Sequence, residues 1–145
     1  MTQTLFVLNG PNLNLLGVRE PEVYGHETLA DVEAACRAEA GDLPLRFHQT
    51  NADHEMVGWI QEARQGAAGI VINPAAFSYA GYPIYDALKM CDCPIVEVHI
   101  SNIHRREEEW RKNSLMTAAA TGIISGLGTH GYVLAVRHIL KLRGN

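Results

Sequence analysis

The chain has 145 residues, 47% of them hydrophobic and 19% charged, with a formal net charge of −4. At roughly 100–200 residues per domain, this length predicts one domain with a core large enough to need no covalent staples. Nine arginines and three lysines are scattered rather than clustered, which argues against a nucleic-acid partner, since phosphate recognition needs grouped cations.

Taken in chain order, residues 5–8 are the first of five short apolar runs, and a long non-periodic segment, 9–25, follows it. Leu29, Val32 and Cys36 then recur at helical spacing after a Thr28-x-x-Asp31 capping signal, with Gly41 as the stop. A second run, 45–47, leads to a helix with Met56, Ile60, Ala63 and Ala67 on one face and Asp53 as its expected cap. After the third run, 69–72, Pro83 suits a first helical position, and Ile84, Leu88 and Cys91 line the helix behind it. The runs at 95–98 and 122–124 complete the set, and Tyr132, Ala135, Ile139 and Leu142 make the last helical stripe. Such short β-branched runs alternating with helices predict an α/β fold with a buried parallel sheet. Five strands fit a flavodoxin-like three-layer fold, ordered 2-1-3-4-5 with helices on both faces. Its ligands bind beyond the carboxyl ends of the strands. Those ends point to the segments beginning at Asn9, Asn73 and His99.

Several signals resolve into ordinary structure. Residues 113–136 carry no charged side chain, yet four glycines and five hydroxyl residues oppose a membrane span, so no membrane partner is expected. Gly126-Leu-Gly-Thr-His-Gly131 fits G-x-G-x-x-G, but only 14 residues follow, leaving no second strand for a dinucleotide fold. The glycines read better as a tight turn with close helix–sheet packing. Cys91-x-Cys93 with His99 and His104 lacks zinc spacing, because a strand separates its members. Three cysteines (Cys36, Cys91, Cys93) cannot pair completely and no basic leader precedes the first run, so a cytoplasmic chain with reduced thiols is expected.

Two segments carry chemistry. The 17 residues from Asn9 to Gly25 exceed the usual connection of about two to six in α/β units, as binding loops do. Arg19 and Tyr24 lie five apart in it, near enough for the guanidinium to fold onto the phenol, where a cation favours the phenolate. A solvated arginine and a surface tyrosine would have the same spacing. In Glu97-Val98-His99, alternation puts the carboxylate and the imidazole on one face, where Glu97 can fix the histidine's tautomer. His99 at a strand's carboxyl end then suits a general acid, although a structural histidine reads the same way. Ser101, Asn102 and nearby backbone N–H groups could hold a carboxylate.

Together these residues resemble the type II 3-dehydroquinate dehydratases over nearly the whole chain. The pattern N-G-P-N-L-N-L-L-G-x-R-x-P-x-x-Y-G stands complete at residues 9–25. Asn73-Pro-Ala-Ala-Phe77, Glu97-Val-His-Ile-Ser-Asn102 with Ile103-His104, and Gly126-x-Gly-x-x-Gly-Tyr132 follow in family order. The resemblance implies a flavodoxin-like fold, a homododecamer built as a tetramer of trimers, and cofactor-free anti elimination of water from 3-dehydroquinate. It further implies Tyr24 as the base at C2, Arg19 favouring its phenolate, and Asn12 holding the water that stabilises the enolate. His99 would protonate the departing C1 hydroxyl, oriented by Glu97. Asn73, Asp86, Ile100 and Ser101 would bind substrate hydroxyls and carboxylate.

Two departures from the family pattern concern binding. Tyr79 stands where the family has a histidine contacting substrate, and the run His104-Arg-Arg-Glu-Glu-Glu-Trp-Arg111 is one residue longer than the family's H-x-R-E-x-F-R. Arg111 is the expected substrate arginine and Arg106 its fallback. A dehydratase of a related cyclic hydroxy-keto acid and a non-catalytic binding homologue are the alternative readings.

Overall fold

A computed structural model of the protein describes residues 3–144. Strands β1 (Leu5–Asn9), β2 (Leu45–Gln49), β3 (Gly69–Asn73), β4 (Ile95–His99) and β5 (Gly122–Ser125) pair in parallel, in the order β2-β1-β3-β4-β5. This is the expected doubly wound, flavodoxin-like order. Each strand runs one or two residues past its apolar run, because the ladder continues into polar residues. The register sets Asn9 beside Asn73 and Gln49, and His99 beside Ser125. A row of polar side chains therefore ends the sheet on its carboxyl side.

The helices are α1 (Pro21–Tyr24), α2 (Leu29–Ala40), α3 (Asp53–Ala63), α4 (Phe77–Ala80), α5 (Tyr82–Leu88), α6 (Glu109–Lys112) and α7 (His130–Leu142). Alternating side chains leave a strand on opposite faces, so the sheet builds two cores. Leu5, Val7, Val71, Val96 and Val98 pack under α2 and α7, whereas Phe6, Leu8, Ile70, Ile72 and Ile95 pack under α3 and α5. The G-x-G-x-x-G segment does what close packing requires. A Cβ on Gly131 would lie 3.3 Å from both Ile124 and Val98, so α7 rests nearly in contact with the sheet there.

The Thr28–Asp31 capping box forms, with Thr28 Oγ1 accepting from the Asp31 N–H and Asp31 Oδ2 accepting from the Thr28 N–H. Three local expectations need correction. Asp53 is the first helical residue of α3 rather than its cap; Ala52 holds that position, its N–H given to Thr50 Oγ1. Helix α5 starts at Tyr82, so Pro83 is its second residue, which still needs no N–H partner. Leu142 is 54% exposed, and Val136 is buried in α7 beside Tyr132, Ala135 and Ile139. The helix runs past the edge of the core before its stripe ends.

Residues 113–136 become a short 3₁₀ turn (Leu115–Ala119), β5 and the start of α7. No helix among the described residues is long and apolar enough to cross a membrane. Cys91 and Cys93 precede β4 while His99 closes its other end, and among the described residues no three His, Cys, Asp or Glu side chains group as metal ligands. Burial pushes the Cys36 thiol up to about 12 and that of Cys93 to about 11, as for unreactive packed thiols.

Candidate active site

The segment after β1, non-periodic in sequence and of binding-loop length, holds two helical turns. A 3₁₀ turn (Leu13–Leu15) is fixed by burial of Leu13 and Leu16, and α1 closes the segment. Its entry is tight. A Cβ on Gly10 would lie 2.2 Å from the Pro74 carbonyl oxygen, so only glycine fits between β1 and the segment after β3. Gln49 Nε2 donates to the Gly10 carbonyl, and Asn51 Oδ1 accepts from the Asn12 N–H at 3.0 Å. Asn12, Glu20 and Ala75 have φ of 69°, 41° and 49°, a left-handed conformation that costs free energy in non-glycine residues. Asn12 and Ala75 both line the same cleft.

That cleft lies at the carboxyl end of the sheet and encloses about 610 Å³ of atom-free space, its open mouth included. Arg19 and Tyr24 form one wall, the guanidinium carbon 5.4 Å from the phenol ring centre. The folding of Arg19 onto Tyr24 expected from their spacing is thus present. His99, Ile100 and Ser101 come from the end of β4, and Asn73 from β3. Tyr79 on α4 and both candidate arginines, Arg106 and Arg111, complete the lining.

Behind the lining, buried partners fix the polar groups. His99 Nε2 is 2.5 Å from Glu97 Oε2, and Glu97 has no exposed surface. Burial works against a charged Glu97, but hydrogen bonds from His99, Ser114 and Thr117 outweigh it and hold the carboxyl below its ordinary range. Glu97 is therefore ionised and can only accept, so Nε2 carries a hydrogen and Nδ1 is the ring atom left for a ligand. Asn73 is held from the other side of the sheet. Its Nδ2 donates to the Tyr132 hydroxyl at 2.8 Å, which donates to Asn9 Oδ1 at 2.7 Å, while its Oδ1 accepts from the Ala75 N–H. Burial pushes the Tyr132 phenol well above its ordinary range, so it stays a donor.

The cleft is cationic. Arg106 donates to Ser101 Oγ at 3.1 Å, and Arg111 approaches Glu108 at 3.5 Å. Burial lowers the Arg106 guanidinium from its ordinary range; the Tyr24 and Tyr79 phenols oppose this, while the charges of Arg111 and Arg19 add to it. Such a set suits a small carboxylate.

Two expected residues stand apart from the cleft. Asp86 is exposed on α5, outside the lining, and Asn102 Oδ1 is used in capping the 3₁₀ turn Ile103–Arg105 by accepting from the His104 N–H. Sequence reasoning missed Gln49, Asn51, Ser114 and Thr117, whose partners are remote in sequence. It placed Tyr132 in the core stripe without its hydroxyl role. Trp110 was also missed: its ring meets Tyr79 edge to face, centres 4.7 Å apart.

The family profile described as Dehydroquinase class II matches residues 3–140. A 3-dehydroquinate dehydratase of Methylobacterium radiotolerans is 53% identical over 99% of this chain and 97% of its own length. The 3-dehydroquinate dehydratase 2 of Agrobacterium fabrum is 55% identical over 94% of this chain and 93% of its own length. The crystal structure of a type II dehydroquinase from Propionibacterium acnes superposes with a TM-score of 0.91 at 43% identity, covering 97% of this chain and 98% of that one. With its fold and its sequence both in agreement with these relatives, the chain belongs to the class II dehydroquinase family.

Proposed function

We propose that the protein removes water from 3-dehydroquinate to give 3-dehydroshikimate by cofactor-free anti elimination through an enolate. The reading is carried by one observation: a tyrosine under a guanidinium and a carboxylate-held histidine line the same cationic cleft. Tyr24 takes the proton from C2, next to the ketone, with the Arg19 guanidinium lying over its ring. Asn12, held in its left-handed conformation, places the water that stabilises the enolate oxygen. The enolate then expels the C1 hydroxyl, which His99 protonates while Glu97 keeps the ring oriented. The proton gained by Tyr24 and the one given by His99 balance, so the protein is restored by exchange with solvent.

Asn73, Ile100 and Ser101 bind hydroxyls and carboxylate, with Arg111 or Arg106 neutralising the latter. Tyr79 presents a phenol where the family's histidine would stand. Asp86 lies outside its own cleft, so its contact with substrate must come from a neighbouring copy, as a homododecamer of four trimers would supply. Three unpaired thiols suit a cytoplasmic setting. The test is direct: conjugated enone absorbance should develop when the protein meets 3-dehydroquinate, and its absence with folded protein would reject the reading.

A further inference from the structure

Glu97 sits in the middle of β4, fully buried, flanked across the sheet by the apolar Ile72 and Ile123. An ionised carboxylate there needs partners for both oxygens. Oε2 has His99 Nε2 at 2.5 Å; Oε1 accepts from the Thr117 hydroxyl at 2.6 Å. Thr117 arrives from the 3₁₀ turn Leu115–Ala119, which Ser114 caps and which Met116 anchors in the core. Thr117 is an exposed residue outside the packed core clusters, so packing does not account for a hydroxyl at this position. Among the described residues, the side chains that hydrogen-bond the carboxyl and lower it are His99, Ser114 and Thr117.

We propose that Thr117 is a positioning residue for the proton donor: by holding Oε1 of Glu97 it fixes the carboxylate's rotation, keeping Oε2 on His99 Nε2 and His99 Nδ1 toward the leaving hydroxyl. Without the Thr117 bond the carboxylate would keep only His99 and the Ser114 hydroxyl, its rotation would be less closely fixed, and the imidazole would follow it. With both oxygens held, the pair is rigid along the line of proton delivery. In the step itself the imidazolium gives its Nδ1 proton to the departing oxygen. That oxygen leaves with the C–O bonding pair, and the neutral ring keeps its Nε2 hydrogen on Glu97. The inference rests on the proposed donor role of His99.

The experiment compares Thr117→Val, Thr117→Ser and His99→Ala, following enone formation and hydrogen–deuterium exchange at C2 of substrate in deuterated buffer. Thr117→Val should lower kcat for water loss roughly ten- to a hundredfold, the worth of a hydrogen bond to a charged group. KM and the C2 exchange rate should stay near their original values, because Tyr24 and the binding groups are untouched. Thr117→Ser should restore water loss. Unchanged water loss in Thr117→Val would overturn the proposal, as would an equal fall in exchange and water loss, or failure of serine to restore it. If His99→Ala eliminates water normally, the donor reading itself falls. If only His99→Ala is impaired, the role of Thr117 alone is lost.

Discussion

The guanidinium carbon of Arg19 lies 5.4 Å from the ring centre of Tyr24, the two residues being separated by a sharp turn at Glu20 and the start of α1. The left-handed backbone at Glu20, φ 41°, lets the chain fold back on itself within five residues. Tyr24→Phe keeps the ring and this packing but removes the oxygen proposed to take the C2 proton. Turnover should fall by at least about 100-fold with the melting temperature nearly unchanged. Steady-state kinetics and a thermal melt check both, and near-normal turnover would remove Tyr24 from the mechanism.

Glu97 links activity to stability. Its folded carboxyl is held below its unfolded value, so the ionised form stabilises the native state above an unfolded pKa of about 4.3. That contribution disappears as pH falls through the lower, folded value. Glu97→Gln should therefore be less stable than the parent at neutral pH, with the gap closing under acid conditions. Urea midpoints measured from neutral pH down through the carboxylate range test the sign, and parallel curves would contradict it.

Tyr132 joins Asn73 to Asn9 through its hydroxyl. Tyr132→Phe leaves a buried donor and a buried acceptor without partners, at a cost of roughly 1–3 kcal/mol each. Denaturant unfolding should report that loss. Because Asn73 also lines the cleft, KM should rise while kcat changes little. A variant as stable as the parent would mean the network relaxes onto other partners.

Tyr79 offers two separable contributions, a phenol tip at the cleft and a ring edge against Trp110. Trp110 precedes Arg111 on α6, so the ring contact bears on the arginine's position. Tyr79→Phe keeps the edge contact, and losing one neutral hydrogen bond should raise KM by about two- to twelvefold. Tyr79→Ala should raise it further, approaching the effect of Arg111→Ala. Equal effects of Phe and Ala would assign the whole contribution to the hydroxyl.

The order of the five strands was legible only through the doubly wound fold that five alternating strands fit. The strands themselves and most helix faces were legible because they rest on local pattern: β-branched runs, three- and four-residue spacing, a capping box. The same holds for Arg19 with Tyr24 and Glu97 with His99, pairs close enough in sequence for local geometry to join them. Where the sequence misled, the competing contact was remote or the limit of the core was invisible. Thr50 took the N–H of Ala52 at the start of α3, and Leu142 extended past the sheet.

Tertiary structure alone decided the support behind the site. Thr117 reaches Glu97 across 20 residues, and Tyr132 reaches Asn9 across 123. It also set Arg106 beside Arg111 and left Asp86 outside the cleft. The physical reason is the parallel sheet. Its register aligns strand ends that are far apart along the chain, and which side chains then meet above them depends on where each helix and turn comes to rest.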